Sequence, residues 1–286
     1  MIAPLFDLLP DMMIGPIVRA ALAEDLGRAG DITSAACIDA DARMSGVFRA
    51  RKSGIIAGLA CVRLALAEMD SGGRFEAVAA DGDHVAPDAV LARVEANARA
   101  LLSAERTALN LIGHLSGIAT LTGAYVAQVT GTRARVIDTR KTTPGLRAIE
   151  KYATRMGGAV NHRMGLYDAV LIKDTHLALV GGITPALRAA RKAYPEMEIH
   201  VEVSNLQELE QALADKASHI LLDNFSCGQV REAMQLIRGR ATVEVSGGVQ
   251  VTNARAYALA GADFISVGAL THSAVALDFS MKVTRY

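Results

Sequence analysis

The stretch EIHVEVSNLQELEQALADKASHILLDN, residues 198–224, holds two short runs rich in Ile, Val and Leu, Glu198–Val203 and His219–Asp223, on either side of a helical pattern. Strand, helix, strand in so short a span is the βαβ unit of a parallel sheet, because parallel neighbours need a crossover that a hairpin cannot supply. The texture extends in both directions. Further runs fall at Ala134–Asp138, Ala169–Lys173, Thr242–Ser246 and Phe264–Val267, six in all, and helical patterns separate most of them. Six strands are fewer than the eight of a closed (β/α)₈ barrel, so the pattern fits either an incomplete barrel or an open sheet.

Upstream the texture is mixed α and β. A helix pattern runs from Ile17 to Leu26 after Pro16, strands are expected at Arg43–Arg51, Gly54–Gly58, Arg74–Ala79 and Val90–Val94, and a helix at Leu59–Met69. A long pattern rich in Ala and Leu, from about Ala98 to Val129, joins this part to the parallel one.

Thirty Lys and Arg offset thirty Asp and Glu, so the chain has no net field to draw it to nucleic acid or an anionic membrane. At 286 residues a folded chain buries roughly 75% of its unfolded surface, enough for one large core or two modest ones. Cys37, Cys61 and Cys227 have neither metal-ligand spacing nor an even count for a disulfide framework. MIAPLFDLLPDMM has no basic residue before Arg19, unlike a secretory leader, and no apolar run approaches the ~20 residues that span a bilayer. These features predict a cytoplasmic protein that handles small molecules.

The neutral sum hides an uneven distribution. Residues 133–173 carry nine Lys or Arg against Asp138, Glu150 and Asp168, a net +6, interleaved with loop-forming Gly, Pro, Thr and Asn. In parallel α/β folds chemistry collects at the carboxyl ends of strands. Here those ends read DTRK, LIKD, VEVSN, LLDN, VEVSGG and SVGA. They offer Arg140 and Lys141, then Lys173, Glu202, Asp223, Ser246-Gly247-Gly248 and Gly268. Arg and Lys suit carboxylates and phosphates, and glycines let backbone amides approach a phosphate. Glu202 and Asp223 suit Mg²⁺ or ribose hydroxyls. Singly, SGG is an ordinary tight turn and Lys173 an ordinary strand-end lysine. Together they point to a phosphorylated, multiply anionic substrate.

The densest segment is RMGGAVNHRMGLYDAVLIKDTH, residues 155–176, where Asn161, His162 and Arg163 follow two glycines. His162 reads as a site residue in that setting; His84, His114, His200, His219 and His272 read as structural or surface residues.

Here the chain closely resembles the quinolinate phosphoribosyltransferase family of de novo NAD synthesis. The resemblance runs through AEDLGRAGDIT (23–33), ERTALNLIGHLSGIAT (105–120), DTRKTTPGLR (138–147), GGAVNHRMGLYDAVLIKD (157–174), VEVSN, LLDN, EVSGGV and ISVGALTHS. It implies an α/β protein with an N-terminal α/β sandwich domain over residues 1–117 and an incomplete α/β barrel over 118–274. Residues 275–286 would return to the first domain. It also implies a homodimer in which the partner subunit's Arg106 completes the barrel mouth. Arg106, Thr139, Arg140, His162, Arg163 and Lys173 would then surround quinolinate, with Lys141 toward pyrophosphate. Glu202 and Asp223 would face the ribose and Mg²⁺, directly or through water. Ser246, Gly247 and Gly248, with Val267, Gly268 and Ala269, would hold the 5′-phosphate. Lys141, Lys173, Glu202 and Asp223 form the implied catalytic set. The chain departs from the family pattern at Thr175, in KDTH for KDNH, at GGA for three glycines, and at VEVSGG for EASGG.

Three other readings compete. A molybdenum-transport-associated relative of the same fold tends to lose the Asn and strand-end Lys that this chain keeps as Asn161 and Lys173. A Schiff-base aldolase would use Lys173 as nucleophile, but Arg140, Lys141 and Arg163 suit anion binding at least as well. A non-catalytic phosphosugar-binding protein would not need the full set of cations and carboxylates.

Overall fold

The structure, a computed structural model, describes residues 9–285. Residues 1–8, read above for a leader, and Tyr286, in the expected returning segment, lie outside the described residues. Two compact units divide the chain. Within the described residues the first comprises 9–123, Thr142–Gly158 and 270–285; the second comprises Ala124–Lys141 and Ala159–Ala269.

The first unit opens with the helix Asp11–Leu26, which starts six residues before the expected Ile17 and carries Pro16 inside it. Proline in a helix interior costs about 3 kcal/mol. The helix continues across it because Ile14, Val18 and Leu22, each four residues apart, bury on one face while Pro16 stays exposed. A short helix, Ile32–Cys37, went unpredicted; its cap is Asp31, whose Oδ1 accepts the Ser34 N–H at 2.9 Å.

Strands β1 (Arg43–Ala50), β2 (Gly54–Ile55), β3 (Arg74–Ala77), β4 (His84–Val85) and β5 (Val90–Asn97) follow, with helices Leu59–Met69 and Ala98–Val129 at their expected bounds. β2 is shorter than predicted because side chains of the long helix take its backbone donors: Ile55 N–H goes to Thr120 Oγ1 at 2.8 Å and Ala57 N–H to Ser116 Oγ at 3.0 Å. Phe48, Leu91 and Val94 share a core with Val62, Leu66, Leu101, Ile112 and Leu115, so sheet and helices bury one another's apolar faces.

In the second unit β6 (Arg135–Ile137), β7 (Val170–Ile172), β8 (Ile199–Val203), β9 (His219–Asp223), β10 (Thr242–Ser246) and β11 (Phe264–Ser266) form one sheet in the order β6-β11-β10-β9-β8-β7. Every pairing is parallel. Side chains from β6, β8, β9, β10 and β11, with Ala169 just before β7, line one interior cavity. A flat sheet could not bring them together, so the sheet is curled into an incomplete barrel. Beyond β6, Val160 makes an isolated parallel bridge to Ile137, which starts the NHR segment beside the sheet.

The last strand, β12 (Phe279–Arg285), belongs to the first unit and pairs antiparallel with β1 from Met44↔Arg285 to Ala50↔Phe279. It completes a four-stranded sheet in the order β12-β1-β5-β3.

Glu150, 0% exposed on the helix Arg147–Met156, anchors the loop before that helix. It accepts the Thr143 N–H at 3.0 Å and bonds His114 Nε2 at 2.8 Å. Burial opposes its charge, but His114 and Thr143 outweigh burial and hold the carboxyl below the ordinary value of 4.5. A lowered folded pKa contributes stability above the unfolded value, lost as pH falls through the folded one. Glu150→Gln is therefore expected to lose about 1–3 kcal/mol at neutral pH. Urea melts should show that deficit undiminished down to 4.5 and shrinking below it. A deficit independent of pH would contradict the assignment.

Candidate active site

All six carboxyl ends of the parallel strands lie in the second unit and bear most of the residues singled out from sequence. At the end of β6, Asp138 is fully buried and accepts the His162 backbone N–H at 2.8 Å and an Asn161 Nδ2–H at 2.5 Å. A buried carboxylate needs such donors; their effect is to fix the NHR loop against β6. Thr139 and Arg140 are half-buried and Lys141 is exposed, its N–H donated to Thr139 Oγ1 at 3.0 Å.

Arg163 is buried, and its Nη1–H donates to the Ala169 carbonyl at 3.0 Å. Burial, and then the neighbouring Arg140, push its guanidinium below the ordinary arginine value. A guanidinium whose charge is disfavoured by burial and by a neighbouring guanidinium suits an anion.

At the end of β7, Lys173 Nζ lies 2.8 Å from Glu202 Oε2, with the carboxylate buried and the ammonium half-exposed. The register explains the pair, because Ile172↔Val201 puts the next residues side by side. Asp223 on β9 is opposite Ser246 on β10 and accepts the Asn224 Nδ2–H at 2.7 Å. Oxygen donors of this kind suit Mg²⁺, which binds through one or two carboxylates and keeps several waters.

Gly247 and Gly248 have φ of +90° and +63° and lead into the helix Val251–Ala260. A Cβ on Gly247 would sit 2.7 Å from Asn224 Cγ and 3.0 Å from Asn224 N. That close approach explains the glycine. Val267 donates its N–H to the Ile137 carbonyl at 3.0 Å, and Gly268 and Ala269 follow at the start of the short helix Ala269–His272. Arg106 lies exposed on the helix Ala98–Val129 in the first unit.

The His162 ring turns into the barrel interior, toward the middle of β10. Its Nε2 lies 3.3 Å from Glu244 Oε2, and Glu244 is 1% exposed. Around the same carboxylate stand His219, at 3.1 Å, and His200, at 3.9 Å. Burial opposes the charge on Glu244, but the three histidines outweigh it and hold the carboxyl well below its ordinary range. The sequence reading left His200 and His219 as structural or surface residues; the structure buries both in this cluster. The pattern EIH followed by SHI at the next strand's start was the available signal, because in-register strand starts put both rings on one face.

The family profile for the C-terminal domain of quinolinate phosphoribosyl transferase matches residues 118–282, and that for the N-terminal domain matches 31–116. The chain belongs to the quinolinate phosphoribosyltransferase family. A nicotinate-nucleotide pyrophosphorylase [carboxylating] from Mycobacterium leprae is 47% identical over 269 residues, 92% of this chain and 95% of that one. A probable enzyme of the same name from Synechocystis is 41% identical over 99% of this chain and 97% of its own length. The crystal structure of NadC from Streptococcus pyogenes superposes with a TM-score of 0.94 at 38% identity, covering 98% of this chain and 100% of that one. In the frame of this family the two glycines after β10 are unequal. Gly247→Ala, strained at φ +90° and overlapping Asn224, is expected to cost about 2 kcal/mol or more. Gly248→Ala, with open space around it, should cost about 1 kcal/mol. Urea denaturation distinguishes them; equal losses would refute the steric account.

Proposed function

We propose that this chain transfers the phosphoribosyl group of phosphoribosyl pyrophosphate to quinolinate, with loss of one carboxylate, giving nicotinate mononucleotide, pyrophosphate and CO₂. The observation that carries the reading is the convergence of Arg140, Arg163 and Lys173 with two carboxylates and the Gly247-Gly248 turn at the carboxyl ends of one parallel sheet. Quinolinate offers two adjacent carboxylates, the complement of paired guanidiniums and a lysine.

Arg140, Arg163 and Lys173, with Thr139, hold the dicarboxylate, and the partner subunit's Arg106 completes the set in a homodimer. His162, its ring engaged by Glu244, sets the loop from which Arg163 projects. Lys141 steadies the departing pyrophosphate. Glu202 and Asp223 orient the ribose hydroxyls, Lys173 being shared between Glu202 and substrate. Backbone amides at Ser246, Gly247 and Gly248, with Val267, Gly268 and Ala269, receive the 5′-phosphate. Glu202 and Asp223 would also hold Mg²⁺, directly or through water, and the ion when bound neutralises charge on the pyrophosphate.

The quinolinate nitrogen forms the new bond to the anomeric carbon as the pyrophosphate bond breaks, through an oxocarbenium-like transition state. No protein nucleophile is needed; positioning and charge stabilisation supply the acceleration. The positive charge of the alkylated pyridinium then stabilises the electron pair left on the ring carbon when the adjacent carboxylate departs as CO₂, and that carbon takes up one proton from water to complete the product. A water-poor pocket favours that loss, since the departing carboxylate no longer needs hydration.

A cytoplasmic setting agrees with the three free cysteines, and among the described residues no helix is long and apolar enough to cross a membrane.

Purified protein given quinolinate, phosphoribosyl pyrophosphate and Mg²⁺ should release CO₂ and form nicotinate mononucleotide, with nicotinate a poor substitute. Absence of turnover would overturn the reading. Arg106→Ala and Lys173→Ala should each lose at least ~100-fold in kcat/KM. Mixed and allowed to exchange subunits, the two variants should regain part of the activity, because one site of each heterodimer is intact. Without that recovery the site is not shared between subunits.

A further inference from the structure

Beneath the loop that bears Arg163 lies a cluster of three histidines and two carboxylates that the chemistry above leaves unexplained. Glu198 immediately precedes β8, His200 is its second residue, His219 opens β9, and Glu244 is the middle residue of β10. His200, His219 and Glu244 line one interior cavity with Asn161, His162 and Arg163, so cluster and loop face the same space. Where the protons of this cluster sit follows from the hydrogen bonds it makes.

His162 is clamped at both ring nitrogens. Nδ1 accepts the Arg163 backbone N–H at 2.7 Å and so carries no proton; Nε2 then holds the only one and directs it at Glu244 Oε2, 3.3 Å away. The ring is therefore neutral. His200 and His219 stack with centroids 3.6 Å apart and 20° between their planes, which disfavours charge on both rings at once. Neither nitrogen of His200 makes a hydrogen bond. Both nitrogens of His219 face carboxylates: Nε2–H donates to Glu244 Oε2 at 3.1 Å, and Nδ1 lies 3.6 Å from Glu198 Oε1. An imidazole with an acceptor at each nitrogen is best satisfied as the imidazolium, the form with two donors.

Glu244 needs that cation. A carboxylate taken out of water is costly unless it is paired, and of the three rings around it His219 is the one placed to supply a full charge. Ser266 Oγ–H donates to Glu244 Oε1, so both carboxylate oxygens are engaged. Burial opposes charge on His219, but Glu198 and Glu244 outweigh it and hold the imidazole above its ordinary value of 6.5. The same pairing, against burial, holds the Glu198 carboxyl down to about 2. Glu244 in turn favours the charge on Arg163, which burial and Arg140 oppose.

We propose that His219 and Glu244 are positioning residues for the dicarboxylate pocket. His219, an imidazolium between Glu198 and Glu244, keeps Glu244 an anion; Glu244 holds the neutral His162 ring; and the ring, bonded to the Arg163 backbone, fixes where that guanidinium meets the substrate. Asp138 ties the backbone of the loop from one side, and this chain of charges ties its ring from the other. Held this way, His162 spends its one ring proton on Glu244, and its part is to brace Arg163. The positioning role rests on the dicarboxylate reading of the barrel mouth.

Neutron diffraction from deuterium-exchanged crystals of the unaltered protein at neutral pH locates the protons directly. Deuterium is expected on both ring nitrogens of His219, on Nε2 alone of His162, and on neither oxygen of Glu244. A neutral His219, a proton on His162 Nδ1 or a protonated Glu244 overturns the proposal, whether or not the protein turns over quinolinate. In steady-state kinetics Glu244→Gln should lose about 100-fold in kcat/KM for quinolinate, carried mainly by KM, with KM for phosphoribosyl pyrophosphate unchanged. His219→Gln, which keeps an amide donor but no charge, should shift the same constant in the same direction. Unchanged kinetics, a fall in kcat alone, or an equal rise in both KM values, the mark of a merely structural role, overturns the positioning. If neither variant folds, the neutron map decides. Inactivity of the unaltered protein overturns the substrate reading instead, so the two failures are distinct.

Discussion

Register in the parallel sheet is the constraint on which the rest of the second unit depends. His200, His219 and Thr242 stand side by side across β8, β9 and β10; two residues on, Glu202, Leu221 and Glu244 do the same; at the next step Asp223 meets Ser246. Side chains alternate along a strand, so a slip of one residue would send this whole interior series to the helix-covered face. The opposite series is Val201, Val203, Ile220, Leu222, Val243 and Val245, each 0% exposed. A slip would exchange six apolar contacts for buried acids and histidines. Each aliphatic side chain so lost is worth about 1.5–3 kcal/mol, which explains why the register holds.

The same alternation gives the barrel two chemically distinct ends. Arg140, Lys173, Asp223 and Gly247 follow the last residues of their strands or close them, while Glu198, His200 and His219 precede or open theirs. A (β/α) barrel interior is ordinarily packed with branched apolar side chains. Here a polar layer replaces part of that packing, and it persists because its charges are paired. Glu244 accepts from Ser266 Oγ and His219 and faces His162. Removing one partner would leave a charge stranded in a medium that solvates it poorly.

Much of this was legible in the sequence, and the reasons for the exceptions are physical. His219–Asp223 and Thr242–Ser246 came out at their observed bounds because the apolar runs ended in Asp223-Asn224 and Ser246-Gly247-Gly248, residues that favour turns. The strand-end chemistry followed from the same boundaries. The Lys173–Glu202 pair did not, since it depends on which residues of β7 and β8 lie abreast, and residues 29 apart in sequence carry no mark of that. The burial of His200 and His219 fits the structural role the sequence assigns them; that both rings meet at Glu244 depends on the same cross-strand register. Pro16 misled because a local penalty was read as a boundary, when burial of Ile14, Val18 and Leu22 outweighs it.

Net charge shows the limit of composition most clearly. Thirty acids and thirty bases cancel over the chain, yet the segment 133–173 alone carries +6. Folding then redistributes even that excess. Asp138 is spent on Asn161 and the His162 backbone, Glu150 on Thr143 and His114, and Asp168 on the backbone amides of Met164 and Gly165. All three acids of the basic segment thus serve its own loops. Among its cations, Arg133 is held by Asp263 and Lys173 by Glu202, while burial and then the neighbouring Arg140 lower the pKa of Arg163. The basic character of this segment rests less on added positive charge than on the engagement of its own acids in hydrogen bonds within it.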